Sequence, residues 1–384
     1  MRVTLIAHGA RAAGGLMCSL NFVKSLNRTA SNHQFLLVVA PDVGFEQIEL
    51  PAGSEVYLYK QAGNKLRRLI FDNIELPKLV RRFNSDWVFG MGNIGLSRPP
   101  CMQAVLIQDA HLVYPWRVHN PKMVLTEKLT RLYQEYQLKK TLRNTDLIFC
   151  QTPMMRERFI RKFRCHPEIV KILPNAISKV AKPINEKRVN SSVLPNQTQF
   201  TLFFLTRYYT HKNLEILIPL FTKYSEKLAD VRCFITIEPY CRKAREFLDN
   251  IKKNSLGEKI VNIGTLSETE LPVYYQLVDA VFLPTLLESF SGTYLEAMYF
   301  GKPILTSDFD FAHYVCGDAA LYFDPFDPAD ISDKIVCLKD NNVLRQTLVN
   351  KGKDRTSGLF SNWDEVAGSA IKYMEQLMSQ KRLL

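Results

Sequence analysis

The stretch PTLLESFSGTYLEAMYFGKP, residues 284–303, decides the fold. The apolar run before it, Asp279-Ala280-Val281-Phe282-Leu283, stops at Pro284 and predicts a buried strand. After Ser291-Gly292, Thr293 to Phe300 predicts a two-turn helix closed by Gly301 and Pro303. A strand, a turn of small residues and a helix N-terminus in succession make a seat for an anion, because backbone N–H groups and the helix dipole point at it. Glu288 and Glu296 put one carboxylate on each side of that seat. The arrangement suits a nucleotide diphosphate sugar, with phosphates on the amides, one acid toward the sugar and the other toward the ribose hydroxyls.

On both sides of this stretch, short apolar runs alternate with helical patterns, the signature of parallel sheets covered on both faces. Candidate strands are 3–7, 35–39, 56–59, 87–89, 105–107, 147–150 and 170–173, then 201–205, 233–237, 260–263, 280–283, 304–306 and 321–323. Residues 178–198 are polar and lack strong apolar periodicity, so they read as a linker between domains at 1–177 and 199–362. A length of 384 residues fits two such domains. Val366, Ala367, Ala370, Ile371, Met374 and Met378 form a helical stripe within 363–381.

The composition, 46% apolar and 23% charged, is that of a soluble globular protein. No run of about 18 uncharged apolar residues predicts a membrane span. The opening MRVTLIAHG reads as a first strand rather than a signal peptide. Eight cysteines without a C-x-x-C pair point to reduced, individually buried thiols and the cytosol, not to a zinc site or disulfide framework. The Asn-x-Ser/Thr triplets at Asn27, Asn190 and Asn196 would then never meet glycosylation machinery.

The net charge of +12 is uneven: residues 1–180 hold 26 Lys and Arg against 13 Asp and Glu, and the remainder 24 against 25. The excess concentrates in Lys60, Lys65, Arg67, Arg68, Lys78, Arg81 and Arg82, and again in Arg156, Arg158, Arg161, Lys162 and Arg164, with apolar residues interleaved. Such faces are either solvated helix surfaces or a footprint for anionic lipid. Zinc spacings and RNA-binding aromatic motifs are missing, which argues against nucleic acid.

Two glutamates with seven residues between them at a strand-to-helix junction, followed by Ala297-Met298 and Gly301-Lys302-Pro303, resemble the retaining GT-B glycosyltransferases of family 4. Thr206-Arg207-Tyr208-Tyr209-Thr210-His211-Lys212-Asn213 is similar to the family's Gly-Arg…Lys-Gly segment, with Asn213 in place of the usual Gly. Val261 to Gly264, Glu270-Leu271, Leu173-Pro174-Asn175-Ala176 and Gly317 to Pro325 match other stretches in the family's order. The match is dense over 200–330 and thin over 1–170, and Ser stands at 291 where the family usually has Gly. The resemblance implies a GT-B α/β fold: two Rossmann-like, doubly wound parallel-sheet domains facing across a cleft, with the final helix packed back on the first.

The resemblance also assigns roles. Glu288 would meet the donor sugar as its bond loosens, with Arg207 and Lys212 neutralising the departing diphosphate. Glu296 would grip the ribose, although Thr293-x-x-Glu296 also fits a capping box. Ser291, Gly292 and Thr293 would hold phosphate, as would the Gly14-Gly15 turn after the first strand. On the acceptor side, Gln108, Asp109 and His111 follow the strand 103–107, and either Gln108 or His111 stands where many relatives carry His. Asp308-Phe309-Asp310 invites a metal, but two cations already supply the charge, so neither metal nor cofactor is expected. The expected partners are a nucleotide diphosphate sugar, a glycan or lipid-linked acceptor and an anionic membrane surface, for a cytoplasmic enzyme peripheral to the inner face of the membrane. It would serve cell-surface polysaccharide or lipopolysaccharide-type synthesis. A sugar-nucleotide epimerase, a glycosyl phosphorylase or a non-catalytic nucleotide-binding partner would use the same fold.

Overall fold

The structure, a computed structural model, describes residues 1–11, 13–60, 65–115, 123–177, 199–359 and 362–382. The linker expected at 178–198, with Asn190 and Asn196, lies outside them.

The chain divides into two compact units. The first contains a seven-stranded sheet: β1 (Arg2–Ile6), β2 (Gln34–Val39), β3 (Glu55–Leu58), β4 (Trp87–Gly90), β5 (Met102–Ile107), β6 (Leu147–Cys150) and β7 (Val170–Ile172). All pairings are parallel, in the order β3-β2-β1-β4-β5-β6-β7. Alternation along each strand splits the apolar residues between two faces. Val3, Leu5, Phe35, Leu37, Trp87 and Phe89 join one core, while Ile6, Leu36, Val38 and Val88 join another with Phe71, Leu76, Val80 and Phe83. The first core is roofed by the helices Ala13–Thr29 and Trp363–Arg382, which pack together. Trp363, Val366, Ala367, Ala370, Ile371 and Met374 recur at helical spacing and are all buried there. Arg28 clamps Asp364 through Nε at 2.9 Å and fixes the register of the two helices.

The second unit contains β8 (Phe200–Phe204), β9 (Val231–Ile235), β10 (Ile260–Asn262), β11 (Ala280–Leu283), β12 (Ile304–Ser307) and β13 (Ala320–Phe323), all parallel in the order β10-β9-β8-β11-β12-β13. Both sheets are wound outward from a first strand in two directions. All thirteen strands expected from the sequence are present, with ends shifted by no more than three residues. The expected α/β fold with two Rossmann-like parallel sheets is the one observed.

The free thiols of Cys18, Cys150, Cys233 and Cys316 are buried, and burial pushes Cys18 and Cys150 up to about 12. Cys337 is exposed, against the expectation of uniformly buried thiols. Among the described residues, no helix is long and apolar enough to cross a membrane.

Candidate functional site

In the second sheet the winding direction reverses between β8 and β11, which are direct neighbours with Leu202 opposite Ala280 and Phe203 opposite Val281. Ligands of doubly wound sheets sit beyond the carboxyl ends of the strands at such a reversal. The segment after β8 carries Arg207 and Lys212, and the segment after β11 carries Glu288. The two segments are tied together, because the His211 carbonyl accepts from Leu286 N at 2.7 Å and from Thr285 Oγ1 at 3.2 Å. That tie brings Lys212 Nζ onto the Glu288 carboxylate in an ion pair. Both side chains are largely buried, at 16% and 13% exposure. Asn213 follows in the left-handed region at φ +57°, a conformation Asn tolerates and Gly prefers, and its amide donates to the Pro325 carbonyl at 2.9 Å. This is the physical reason a residue other than Gly can stand after Lys212.

Arg207 reaches a different partner. Its Nη2 donates to Glu238 Oε2 at 3.0 Å, and the guanidinium lies 5.2 Å from the centre of the Tyr240 ring. Glu238 and Tyr240 follow β9, the strand next to β8. Both were passed over in the sequence, although an acid directly after the apolar run ending at Ile237 stands at the carboxyl end of a strand adjacent to the reversal. Glu238 sits below the usual carboxylate range, held there chiefly by a hydrogen bond with Thr265 and also by Arg207.

The helix after Glu288 runs from Gly292 to Tyr299, with Ser291 as its capping residue. The Ser291 side chain makes no hydrogen bond to the first turn, which leaves those amides to an outside acceptor. Gly292 is exposed, whereas Ser291 is nearly buried. The capping-box alternative does not form: Glu296 Oε2 accepts from the Tyr275 hydroxyl at 2.9 Å. Its other oxygen faces Gly292, 4.0 Å from where a Cβ would stand. Burial raises the Glu296 carboxyl above its ordinary value, and the Tyr275 hydrogen bond pulls it partly back. Burial, with Glu296 beside it, likewise raises the Tyr275 phenol well above its usual range. Tyr275 is a supporting residue that periodicity alone reads as core.

In the first unit the reversal falls between β1 and β4. Gly14 and Gly15 stand in the first turn of the helix Ala13–Thr29, not in the loop before it. Neither has a positive φ. A Cβ on Gly14 would meet nothing within 4 Å, and one on Gly15 would lie 3.6 Å from Gln108 Oε1. Gln108 leaves the end of β5, donates Nε2 to the Met91 carbonyl at 2.9 Å, and so turns its oxygen toward Gly15. Asn93 Oδ1 receives the backbone amides of Gln108 at 2.6 Å and Asp109 at 2.7 Å.

Asp109 binds His111 Nδ1 at 3.1 Å with one oxygen and Arg131 with the other. Burial pushes the Asp109 carboxyl up, but the His111 hydrogen bond and the Arg131 charge outweigh it and hold it at about 2. His111 is therefore committed to Asp109, while Gln108 faces the glycine turn.

Asp308 pairs with His313 at 2.5 Å, and among the described residues no cluster of three His, Cys, Asp or Glu is arranged to hold a metal.

Residues 186–355 match the family model described as glycosyl transferases group 1. Mannosylfructose-phosphate synthase of Agrobacterium fabrum is 20% identical over 70% of this chain and 63% of its own length. Alpha-monoglucosyldiacylglycerol synthase of Streptococcus pneumoniae is 21% identical over 66% of this chain and 58% of its own. The chain thus spans less than two thirds of both curated relatives. Among solved structures, Anabaena Alr3699/HepE in complex with UDP-glucose superimposes with a TM-score of 0.74 over 100% of both chains at 14% identity. The chain accordingly has the two-sheet GT-B fold of its solved neighbours, and its residues 186–355 are similar to the glycosyl transferases group 1 family.

Proposed function

We propose that this protein is a retaining glycosyltransferase of the family 4 type, moving a sugar from a nucleotide diphosphate sugar to a glycan or lipid-linked acceptor. The observation that carries the reading is the Lys212–Glu288 pair at the β8/β11 reversal, followed within a few residues by a helix end whose first turn lacks a side-chain cap. The diphosphate rests on the amides of Ser291, Gly292 and Thr293. Lys212 and Arg207 take up the charge that builds on the departing phosphate, an attraction that strengthens toward the transition state. Glu288 faces the positive charge developing on the sugar ring. Glu296, positioned by Tyr275, accepts from the ribose hydroxyls. These cations and amides supply the positive charge, so the reaction proceeds without a metal.

On the acceptor side, Gln108 is the residue that meets the acceptor, and Asp109 and His111 brace the turn that carries it. The relatives support the reading: a solved neighbour is seen in complex with UDP-glucose, and one curated relative is named for a glucosylated diacylglycerol. In this reading the enzyme serves cell-surface polysaccharide or lipopolysaccharide-type synthesis, in the cytoplasm at the inner membrane face.

The test is product analysis. The enzyme is incubated with UDP-, GDP- and ADP-sugars of α configuration and an extract of lipid and glycan acceptors, with EDTA present. An α-linked product by NMR is expected, and it is lost in Glu288→Ala. A β-linked product contradicts retention, and a reaction needing free phosphate or no acceptor contradicts transfer.

A further inference from the structure

The helix Leu125–Leu142 buries Leu138 and Thr141 on its inner side, and from there Arg131 reaches Asp109. Its outer side is apolar. Leu125, Leu129, Leu132, Tyr133 and Tyr136 are 56–69% exposed and recur at i, i+4, i+7, i+8 and i+11, one continuous stripe. Val124, immediately before the helix, extends it. Lys140 and Arg143, both exposed, continue the same face, and Lys140 Nζ lies 5.8 Å from the Tyr136 ring centre. The two acids of the helix point elsewhere: Glu127 lies toward the inner side by helical spacing, and Glu135 binds Lys139 at 2.9 Å and Lys162 at 2.7 Å.

We propose that this face docks the protein on an anionic lipid bilayer. Soluble monomers rarely leave so long an apolar stripe in water. Leucines at the acyl boundary, tyrosine hydroxyls at headgroup level and cations on the lipid phosphates fit a helix lying in the interface plane. A second copy of the chain fits less well, since the face offers no carboxylate to Lys140 and Arg143 of a partner. The docking rests on the membrane-surface part of the reading above and locates it on a helix outside the basic clusters at 60–82 and 156–164. It also carries a consequence for the acceptor. The helix holds Asp109, and through it His111, about one helix diameter of 10 Å from the headgroups. A lipid-borne acceptor would thus be delivered directly to the Gln108 turn.

The test is co-sedimentation of the full chain with phosphatidylcholine vesicles, with and without phosphatidylglycerol. Light scattering gives the solution mass, and thermal melts confirm folding of each variant. Wild type is expected to pellet with the anionic vesicles. Leu129→Ser/Leu132→Ser should bind at least tenfold more weakly, and Lys140→Ala/Arg143→Ala about fivefold more weakly per cation, with the loss confined to the anionic vesicles. Wild type that ignores anionic vesicles, variants that bind like wild type, or a wild-type dimer that the serine variant turns into monomers would each overturn the proposal. Nucleotide-sugar binding, measured without vesicles, should be the same in all three proteins. Its absence from all three would count against the donor reading and leave the docking result standing.

Discussion

Lys212 and Glu288, 76 positions apart, form an ion pair because the His211 carbonyl binds the segment after β11 to the segment after β8. The cation that would meet a leaving phosphate is thus already in contact with the acid that would face the sugar.

Removing one partner of a largely buried pair strands the other. Lys212→Ala and Glu288→Ala should each cost about 1–3 kcal/mol in urea unfolding, and the double variant less than their sum. Additive losses would mean the two do not interact. Either single variant should lower transfer by about 100-fold or more.

Arg207 behaves differently. Its pair with Glu238 is half exposed, so Arg207→Ala should change stability by less than about 1 kcal/mol. Its effect should fall on turnover, by about 100-fold, because a diphosphate draws the guanidinium more strongly as charge builds. Unchanged kcat with unfolding as the only defect would contradict that role.

Glu296→Gln separates charge from shape. The amide oxygen still accepts from Tyr275, but the buried charge is gone. A carboxyl raised by burial costs the fold stability as pH climbs from the unfolded-state value through the folded one. The variant should therefore melt above wild type at pH 7 and match it in acid, while its donor KM rises about tenfold. A lower Tm at pH 7 would oppose this account.

Asp109 predicts the opposite slope. Its carboxyl is held at about 2 against an ordinary 3.8, so in that window the unfolded chain binds more protons and stability rises with pH. The contribution, on the order of 2 kcal/mol, is complete above the unfolded value and is lost as pH falls through about 2. Asp109→Asn should flatten the acid limb of a Tm-versus-pH curve.

Much of the second unit was legible because its signals are local. Pro284 ends β11, Gly301 ends the helix after it at φ +63°, and both glutamates lie between them. The partners were not legible. Tyr275 and Glu238 meet Glu296 and Arg207 only through the order of strands, which no local pattern encodes. Gly14 and Gly15 read as a loop although the helix begins at Ala13, since the sequence ahead of it offers no capping side chain to mark the boundary. The Leu125–Tyr136 stripe was not among the sequence expectations, and periodicity alone would not say whether such a face turns inward or out.

The central claim is a donor site built on Lys212, Glu288 and the Gly292 helix end. Isothermal titration with UDP-, GDP- and ADP-sugars tests it most directly. One of them should bind wild type, and Lys212→Ala should bind it at least tenfold more weakly. A chain that binds none of them, or a Lys212→Ala variant that binds as tightly as wild type, would contradict it.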